Sequence, residues 1–338
     1  MKTIVVHPFS PADAGMFDEH ASENSAAPWL YLKYAFSQRG INLQTSYRYQ
    51  GRLADALWVV FMNAPQSLGA KPSIKMRLRQ IIKREPQIDF FECCRSEVPA
   101  KRLALMLWEP EVVYPLNVSS AVHQRFARVF TWAEALLTGA ECYRPIVWPQ
   151  PPIRELPENV AFDQRKLLCN FSGNKASDHG RELYSARVEV IRYMERHHPN
   201  DFDHFGPGWS SDFPSWRGKV ENKFLVYPGY KFGLCYENME GVAGYITEKI
   251  FDCLRAGCVP VYWGAPDISE RVDPCAYIDR RQFAGTGEMI DFLRRMPEER
   301  WLEMRQAGFH YLRSVKFARY LPRSFASMFH EGLFDEAL

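Results

Sequence analysis

The sequence predicts an α/β protein made of two Rossmann-like domains that face a cleft. The chain has 338 residues, which exceeds the usual size of a single hydrophobic core. Short apolar segments alternate with helix-like segments in both halves, as in parallel sheets crossed by helices. A cluster of prolines between residues 145 and 157 interrupts this alternation and indicates a linker. We therefore expect one domain at 1–157 and a second, with a helical tail, at 158–338.

The elements of the first half follow from local patterns. Apolar and β-branched runs predict strands at 3–6, 41–47, 57–62, 103–108 and 129–132. Helices are expected at 28–38 and 73–83. The first has Pro28 in its first turn and Gly40 as its stop, positions that these two residue types favour.

The second half repeats the alternation and ends in helices. It has predicted strands at 166–170, 202–205 and 232–236, helices at 180–197 and near 219–227, and a helical tail over 287–334. The segment from Tyr230 to Pro266 reads as strand, glycine-bearing loop, helix and strand. Such a unit places polar groups at the carboxyl edge of a parallel sheet, where open α/β folds bind nucleotides.

The composition excludes some classes of protein. A net charge of +2 argues against a nucleic-acid binder, because such domains usually carry a strong basic excess. No stretch approaches the ~20 apolar residues of a membrane span, and the first residues do not resemble a signal peptide. The eight cysteines form no CxxC pair and are interpreted as reduced thiols of a cytoplasmic protein.

Glu248 and Lys249 lie in the first turn of the helix predicted within the 230–266 segment. A carboxylate can accept hydrogen bonds from both ribose hydroxyls, and an ammonium group supplies a charge for phosphate. Adjacent helical residues point ~100° apart, so each could reach a different part of a nucleotide. For the pair alone, a solvated first turn is the preferred interpretation, because the helix dipole favours Glu there. The surrounding segment favours the nucleotide site.

Three further residues are candidates for the same site. Asn238 follows the predicted strand 232–236 and either contacts a phosphate or sugar or forms a plain loop. Tyr245 either contacts the ligand or packs at the helix start. Arg187 could hold a diphosphate, as arginine does well, with Arg181 as the alternative, and a solvated arginine fits equally.

Glu109 ends the predicted strand 103–108, between Trp108 and Pro110. A carboxylate there could be partly desolvated and act as a general base, although Glu111 is a rival and a loop carboxylate is the simpler interpretation. Asp201 and Asp203 form a pattern that can bind a divalent cation. They begin a predicted strand at its amino end, so we expect no metal site there.

Basic and aromatic residues alternate in the tail. Their pattern fits either contact with a membrane surface or, as we prefer, a helix packed on its own domain. The residues are Tyr311, Lys316, Phe317, Arg319, Tyr320 and Arg323.

The 230–266 segment resembles the α-1,3/4-fucosyltransferases of glycosyltransferase family 10, in their soluble bacterial form. A looser resemblance runs from about 166 to 278 and includes Arg187, and Trp108-Glu109-Pro110 resembles the place of the family's proposed base. The motif consists of Phe232…Tyr236-Glu237-Asn238, Tyr245-Ile246-Thr247-Glu248-Lys249 and Gly257-Cys258-Val259-Pro260-Val261-Tyr262-Trp263-Gly264-Ala265-Pro266.

The resemblance implies a GT-B architecture, with the acceptor bound by the first domain and the donor GDP-fucose by the second. It implies transfer of fucose with inversion, without a cofactor or metal. Each candidate residue then has an implied role: Glu248 binds the ribose, Lys249 and Arg187 neutralise the diphosphate, Asn238 and Tyr245 line the donor site, and Glu109 deprotonates the acceptor hydroxyl.

The implied acceptor is a glycan of the cell surface, free or lipid-linked. We expect a cytoplasmic protein with at most peripheral contact with the inner membrane. Two alternatives stay open, namely use of another GDP-sugar and a non-catalytic module that binds nucleotide sugars or glycans.

Overall fold

The computed structural model of the protein describes residues 2–18, 23–69, 89–152 and 160–338. The chain divides into two compact units, Met1–Ile146 with Pro322–Leu338 (unit 1) and Val147–Leu321 (unit 2). The helix predicted at 73–83 and the boundary expected at 157/158 lie outside the described residues. In the described part of the chain, no helix is long and apolar enough to cross a membrane.

Unit 1 is built on a parallel sheet. Its six described strands have the order β2-β1-β3-β4-β5-β6. They are β1 (Lys2–His7), β2 (Ile41–Thr45), β3 (Trp58–Met62), β4 (Leu103–Met106), β5 (Arg128–Thr131) and β6 (Tyr143–Pro145). The α-helices of this unit are α1 (Glu23–Ser37), α2 (Phe90–Glu97), α3 (Ser120–His123), α4 (Glu134–Leu137) and, at the end of the chain, α11 (Pro322–Phe334). Helix α1 begins five residues before the predicted start, so Pro28 lies inside it.

The two faces of the first sheet bury separate apolar cores, because successive strand residues point to opposite sides. Ile4 and Val6 pack with residues of α1 and α11 on one face. Val5 packs with Phe91 and Cys94 of α2 on the other.

Helix α11 belongs to unit 1 by its packing, whereas the sequence analysis placed the whole tail in the second domain. Phe325, Phe329 and Leu333 are buried in the core beside Phe130. The ring centroids of Phe329 and Phe130 are 5.0 Å apart. The aromatic face of α11 is buried on the first sheet, and this packing makes the end of the chain part of unit 1.

Unit 2 contains a second parallel sheet, with the order β11-β10-β9-β7-β8 in the described residues. Its strands are β7 (Lys166–Phe171), β8 (Phe202–Phe205), β9 (Tyr230–Tyr236), β10 (Val259–Trp263) and β11 (Ile278–Asp279). Its α-helices are α5 (Tyr184–His197), α6 (Glu248–Arg255), α7 (Ile268–Arg271), α8 (Thr286–Arg295), α9 (Glu298–Leu312) and α10 (Val315–Ala318).

One predicted helix of unit 2 differs from the observed structure. The helix expected near 219–227 is replaced by two short 3₁₀ helices, Lys223–Leu225 and Tyr227–Gly229. Pro228 and Gly229 explain this, because neither residue favours a continuous helix. In the tail, Tyr311, Phe317 and Tyr320 are buried, as expected for packing on the protein itself.

Candidate active site

The sheet of unit 2 has a topological switch point between β7 and β9. The helices that follow these strands, α5 and α6, begin at the same carboxyl edge. Open α/β sheets bind ligands at such a point, so polar side chains at this edge are candidates for a binding site. Four of the sequence-predicted residues lie there: Arg187 on α5, Asn238 just after β9, and Glu248 and Lys249 in the first turn of α6.

Glu237 is the buried centre of this edge. Its side chain is 0% exposed, although it is ionisable. Its Oε1 accepts a hydrogen bond from Thr247 N at 2.8 Å, and Oε2 accepts one from Thr247 Oγ1 at 2.7 Å. Lys249 Nζ lies 3.3 Å from the same Oε2. A buried carboxylate needs such partners, so Glu237 fixes the start of α6 to the end of β9.

Lys249 and Glu248 differ in their exposure to solvent. The Lys249 side chain is 16% exposed and the Glu248 side chain 36%, and Nζ and Oε1 of the two are 3.5 Å apart. Lys249 Nζ also donates to Thr247 Oγ1 at 2.9 Å. Glu237 and Thr247 thus hold the ammonium group in place, while the Glu248 carboxylate is open to a ligand.

The pKa of Glu248 is about 2, well below its ordinary value. Burial acts to raise this pKa, but the charges of Lys249 and Lys223, with hydrogen bonds at the helix start, outweigh it. The pKa of Lys249 is raised, because the charges of Glu248 and Glu237 outweigh its desolvation. Both side chains are therefore ionised at neutral pH, as acceptance from ribose hydroxyls and attraction of phosphate require.

Arg187 connects α5 to the end of β9. Its Nη2 donates to Tyr236 O at 2.7 Å, to Glu237 O at 2.6 Å and to Asn238 Oδ1 at 3.1 Å. Arg187 is 4% exposed. Burial lowers the pKa of its guanidinium, and the negative charge of Glu237 offsets only part of this effect. It brings a positive charge to the switch point and orients the Asn238 side chain. The alternative, Arg181, is on the surface.

Tyr245 is packed in the interior of unit 2. It is 1% exposed, and its carbonyl oxygen lies 3.5 Å from the donating hydroxyl of Tyr262. A stacking surface for a sugar would need an exposed ring, so the structure favours the packing role that the sequence left open.

Gly264 is required by the close approach of Glu237. A Cβ atom at this position would lie 2.5 Å from Glu237 Cγ and 2.7 Å from the Tyr262 hydroxyl. The glycine of the Trp263-Gly264 step therefore leaves space for the buried carboxylate.

Glu109 lies in unit 1, three residues after the end of β4, and is partly exposed. The observed strand is two residues shorter than the predicted one. The N–H groups of Trp108 and Glu109 donate to Asn63 Oδ1, at 3.0 and 2.8 Å, instead of to a neighbouring strand. Glu111 lies two residues further along and is also partly exposed, and both residues have interactions within the protein.

Asp201 and Asp203 interact with the protein itself. Asp203 is buried and lies within hydrogen-bond distance of Lys166 Nζ, Arg217 Nε and Tyr230 Oη, at 2.6, 2.5 and 2.7 Å. Asp201 pairs with Arg294 at 2.8 Å. Among the residues that the structure describes, no group of three His, Cys, Asp or Glu side chains is placed to hold a metal ion.

The sequence assigned no role to three residues that organise these two regions: Glu237, Asn63 and Asn117. A charged residue directly after an apolar strand could have singled out Glu237. Asn63 directly follows the predicted strand 57–62, and asparagine is common where a chain turns through left-handed backbone. For Asn117 the sequence contains no comparable signal.

Comparison with known proteins identifies the second half of the chain. The sequence model of the C-terminal domain of glycosyltransferase family 10 (fucosyltransferase) matches residues 163–306. An alpha-(1,3)-fucosyltransferase of Helicobacter pylori is 37% identical over 75 residues, 22% of this chain and 16% of that protein. An alpha-(1,4)-fucosyltransferase of Arabidopsis thaliana is 37% identical over 70 residues, 21% of this chain and 17% of that protein. The matched segments thus span about a sixth of each relative's length.

Solved structures match the fold over nearly the whole chain. A crystal structure of an α1,3-fucosyltransferase with GDP covers 98% of this chain and 90% of its own, with a TM-score of 0.59 at 15% identity. One with GDP-fucose covers 100% and 91%, with a TM-score of 0.55 at 16% identity. An α-glucosyltransferase with UDP-glucose and DNA covers 99% and 100%, with a TM-score of 0.57 at 9% identity. The likeness confirms the predicted GT-B fold class, with a parallel-sheet α/β domain in each unit. Residues 163–306 therefore resemble the C-terminal domain of glycosyltransferase family 10, the fucosyltransferase family.

Proposed function

We propose that this protein is an inverting fucosyltransferase, which transfers fucose from GDP-fucose to a hydroxyl group of a glycan without a metal ion. The observation that carries the proposal is the arrangement of Glu248 and Lys249 at the start of α6, held by the buried Glu237. It combines a carboxylate open to solvent with a fixed ammonium group at the carboxyl edge of a parallel sheet. The match of residues 163–306 to the C-terminal domain of the fucosyltransferase family supports fucose as the transferred sugar.

In this proposal the donor site binds GDP mainly through electrostatic interactions. The Glu248 carboxylate accepts hydrogen bonds from the ribose hydroxyls. Lys249 and Arg187 neutralise the diphosphate, together with the positive end of the α6 dipole. Asn238, whose Oδ1 is bound by Arg187, offers its amide nitrogen to the ligand. Tyr245 supports this region from the interior.

The proposed reaction is a single displacement. Glu109 takes the proton of the acceptor hydroxyl, whose oxygen forms a bond to the anomeric carbon of fucose. The bond between that carbon and the diphosphate oxygen breaks, and its electron pair leaves with GDP. Lys249 and Arg187 stabilise the negative charge that develops on the leaving group, which is the usual form of electrostatic catalysis. Attack opposite to the leaving group inverts the anomeric carbon.

Labelled GDP-fucose, offered with a panel of glycans, tests the proposal. We expect transfer to at least one glycan by the wild-type protein, undiminished in EDTA. Glu109→Gln should lower kcat by on the order of a hundredfold or more, as loss of a general base does, with GDP affinity unchanged. Glu111→Gln is the matched control and should keep its activity. Normal turnover by Glu109→Gln would contradict the assignment of Glu109 as the base. Transfer from GDP-mannose but not from GDP-fucose would contradict the assignment of fucose as the transferred sugar.

A further inference from the structure

We propose that Asn63 and Asn117 are positioning residues, a pair of side chains that clamp the backbone of Glu109. The inference rests on the proposed function, in which Glu109 is the general base, and it assigns a role to two residues that make up no part of the donor site. Both are 3% exposed and both lie in unit 1.

Asn63 holds the amino side of Glu109. It directly follows β3, next to β1, at the point where the strand order of the first sheet reverses. Its backbone N donates to Met106 O at 2.8 Å, which fixes it to the end of β4. Its Oδ1 then accepts from Trp108 N at 3.0 Å and from Glu109 N at 2.8 Å.

Asn117 holds the carboxyl side of Glu109. Its Nδ2 donates to Glu109 O and to Asn63 Oδ1, both at 2.7 Å, so the two amides form one unit. Its own Oδ1 accepts from Ala64 N at 2.9 Å.

His123 anchors Asn117 in turn. The Asn117 carbonyl oxygen lies 2.8 Å from His123 Nε2, and a carbonyl can only accept, so Nε2 carries the proton. Burial lowers the pKa of His123, which keeps the ring neutral, and its Nδ1 accepts from Tyr143 Oη at 2.9 Å.

Both polar groups of the Glu109 backbone are thus bound by side chains from other segments. The preceding carbonyl, Trp108 O, accepts from Trp132 Nε1 at 3.2 Å, and the following residue is Pro110, which has no N–H. The backbone N–H and C=O of Glu109 are therefore both hydrogen-bonded outside the sheet, while the side chain stays partly exposed. Catalytic groups require this kind of fixed support.

Two unfavourable features at Asn63 indicate that it is not there for stability alone. Its φ angle is +69°, in the left-handed region, which asparagine enters more often than most residues but only glycine enters without cost. Among the residues that the structure describes, its buried Nδ2 meets no hydrogen-bond partner, which costs free energy. Residues with an unfavourable local conformation cluster at the functional sites of native proteins, where the surrounding structure holds them in place.

The test uses variants that separate positioning from folding. Asn63→Gly removes the amide but adopts the same φ angle without strain, so the fold should survive. Asn117→Ala removes the other half of the clamp. Thr45→Val is the matched control, because it deletes a buried side-chain bond, from Thr45 Oγ1 to Ala14 O, at the carboxyl end of β2 in the same unit.

Hydrogen exchange of the 103–114 backbone and steady-state kinetics are the two measurements. We expect faster exchange in Asn63→Gly and Asn117→Ala than in wild type or Thr45→Val. We also expect kcat to fall about tenfold to a hundredfold, as displacement of a catalytic group does, with the KM for GDP-fucose changed by less than about twofold.

Unchanged exchange in both clamp variants would overturn the inference, and so would faster exchange with normal kcat. A fall in kcat of equal size in Thr45→Val would also overturn it, because the effect would then be structural. If the wild-type protein transfers no fucose, the proposed function fails, and the exchange measurement alone decides whether the clamp exists.

Discussion

At the scale of single residues, the candidate donor site depends on a buried charge. Glu237 is fully enclosed, yet its carboxylate is bound by Thr247 and Lys249. Burial raises its pKa, and the Lys249 charge and the Thr247 hydrogen bonds act against that rise. The pair is costly to separate, because either partner alone would leave an unpaired group in the interior. Because separation is unfavourable, the ion pair with Glu237 keeps the Lys249 ammonium group in a fixed position at the candidate site.

Loss of either Lys249 or Glu248 should weaken nucleotide binding. We predict that Lys249→Ala and Glu248→Ala each reduce the affinity for GDP by about 1–3 kcal/mol, the typical effect of losing a charge-assisted contact. Titration calorimetry measures this directly. Lys316→Ala, which removes an exposed lysine of the same unit, is the control and should bind GDP like wild type. Unchanged affinity in both site variants would exclude them from the donor site.

At the scale of elements, the start of α6 depends on a glycine in the turn after β10. Gly264 leaves room for Glu237, whose carboxylate accepts a hydrogen bond from the N–H of Thr247, directly before α6. The position therefore couples three segments that are distant in sequence, namely the ends of β9 and β10 and the first turn of α6.

Gly264→Ala should consequently damage both stability and binding. The added methyl group would displace Glu237 or Tyr262, and overpacking of this kind costs about 1–3 kcal/mol. We expect a lower free energy of unfolding in urea and weaker GDP binding. Gly285→Ala is the control, because its Cβ would meet no atom within 4 Å. Equal behaviour of the two variants would contradict the role given to Gly264.

The elements themselves were largely predictable, whereas the contacts between them were not. The unit from Tyr230 to Pro266 carries its pattern locally, in an apolar strand, glycines and a charged helix start, so it was predicted correctly. The end of β4 was placed two residues too late, because the Asn63 side chain, 45 residues from Trp108, takes the N–H that a longer strand would have used. Glu237 and Asn117 act through partners that only the fold brings near.

At the scale of the whole molecule, the chain consists of two parallel-sheet units, and its last helix completes the first. From the sequence, residues 322–338 were predicted to belong to the second domain, because they follow it directly along the chain. Packing of Phe325, Phe329 and Leu333 decides otherwise.

The C-terminal helix should therefore be essential for the stability of unit 1. Phe329 is 1% exposed and lies against Phe36 and Phe130. We predict that Phe329→Ala lowers the free energy of unfolding by about 3–5 kcal/mol, as large-to-small changes of buried aromatics do. Urea denaturation is the measurement. Phe292→Ala, at a residue 46% exposed on α8, is the control. A loss no larger than that of the control would contradict the packing of α11.

The central claim is that unit 2 binds GDP-fucose, and a thermal-shift panel of the wild-type protein with GDP, UDP, ADP and CMP and their sugars tests it most directly. Ligands that bind the native state alone raise its melting temperature. We predict a rise with GDP, a larger rise with GDP-fucose than with GDP-mannose, and none with the UDP, ADP or CMP compounds. The absence of a rise with every GDP compound would contradict the claim.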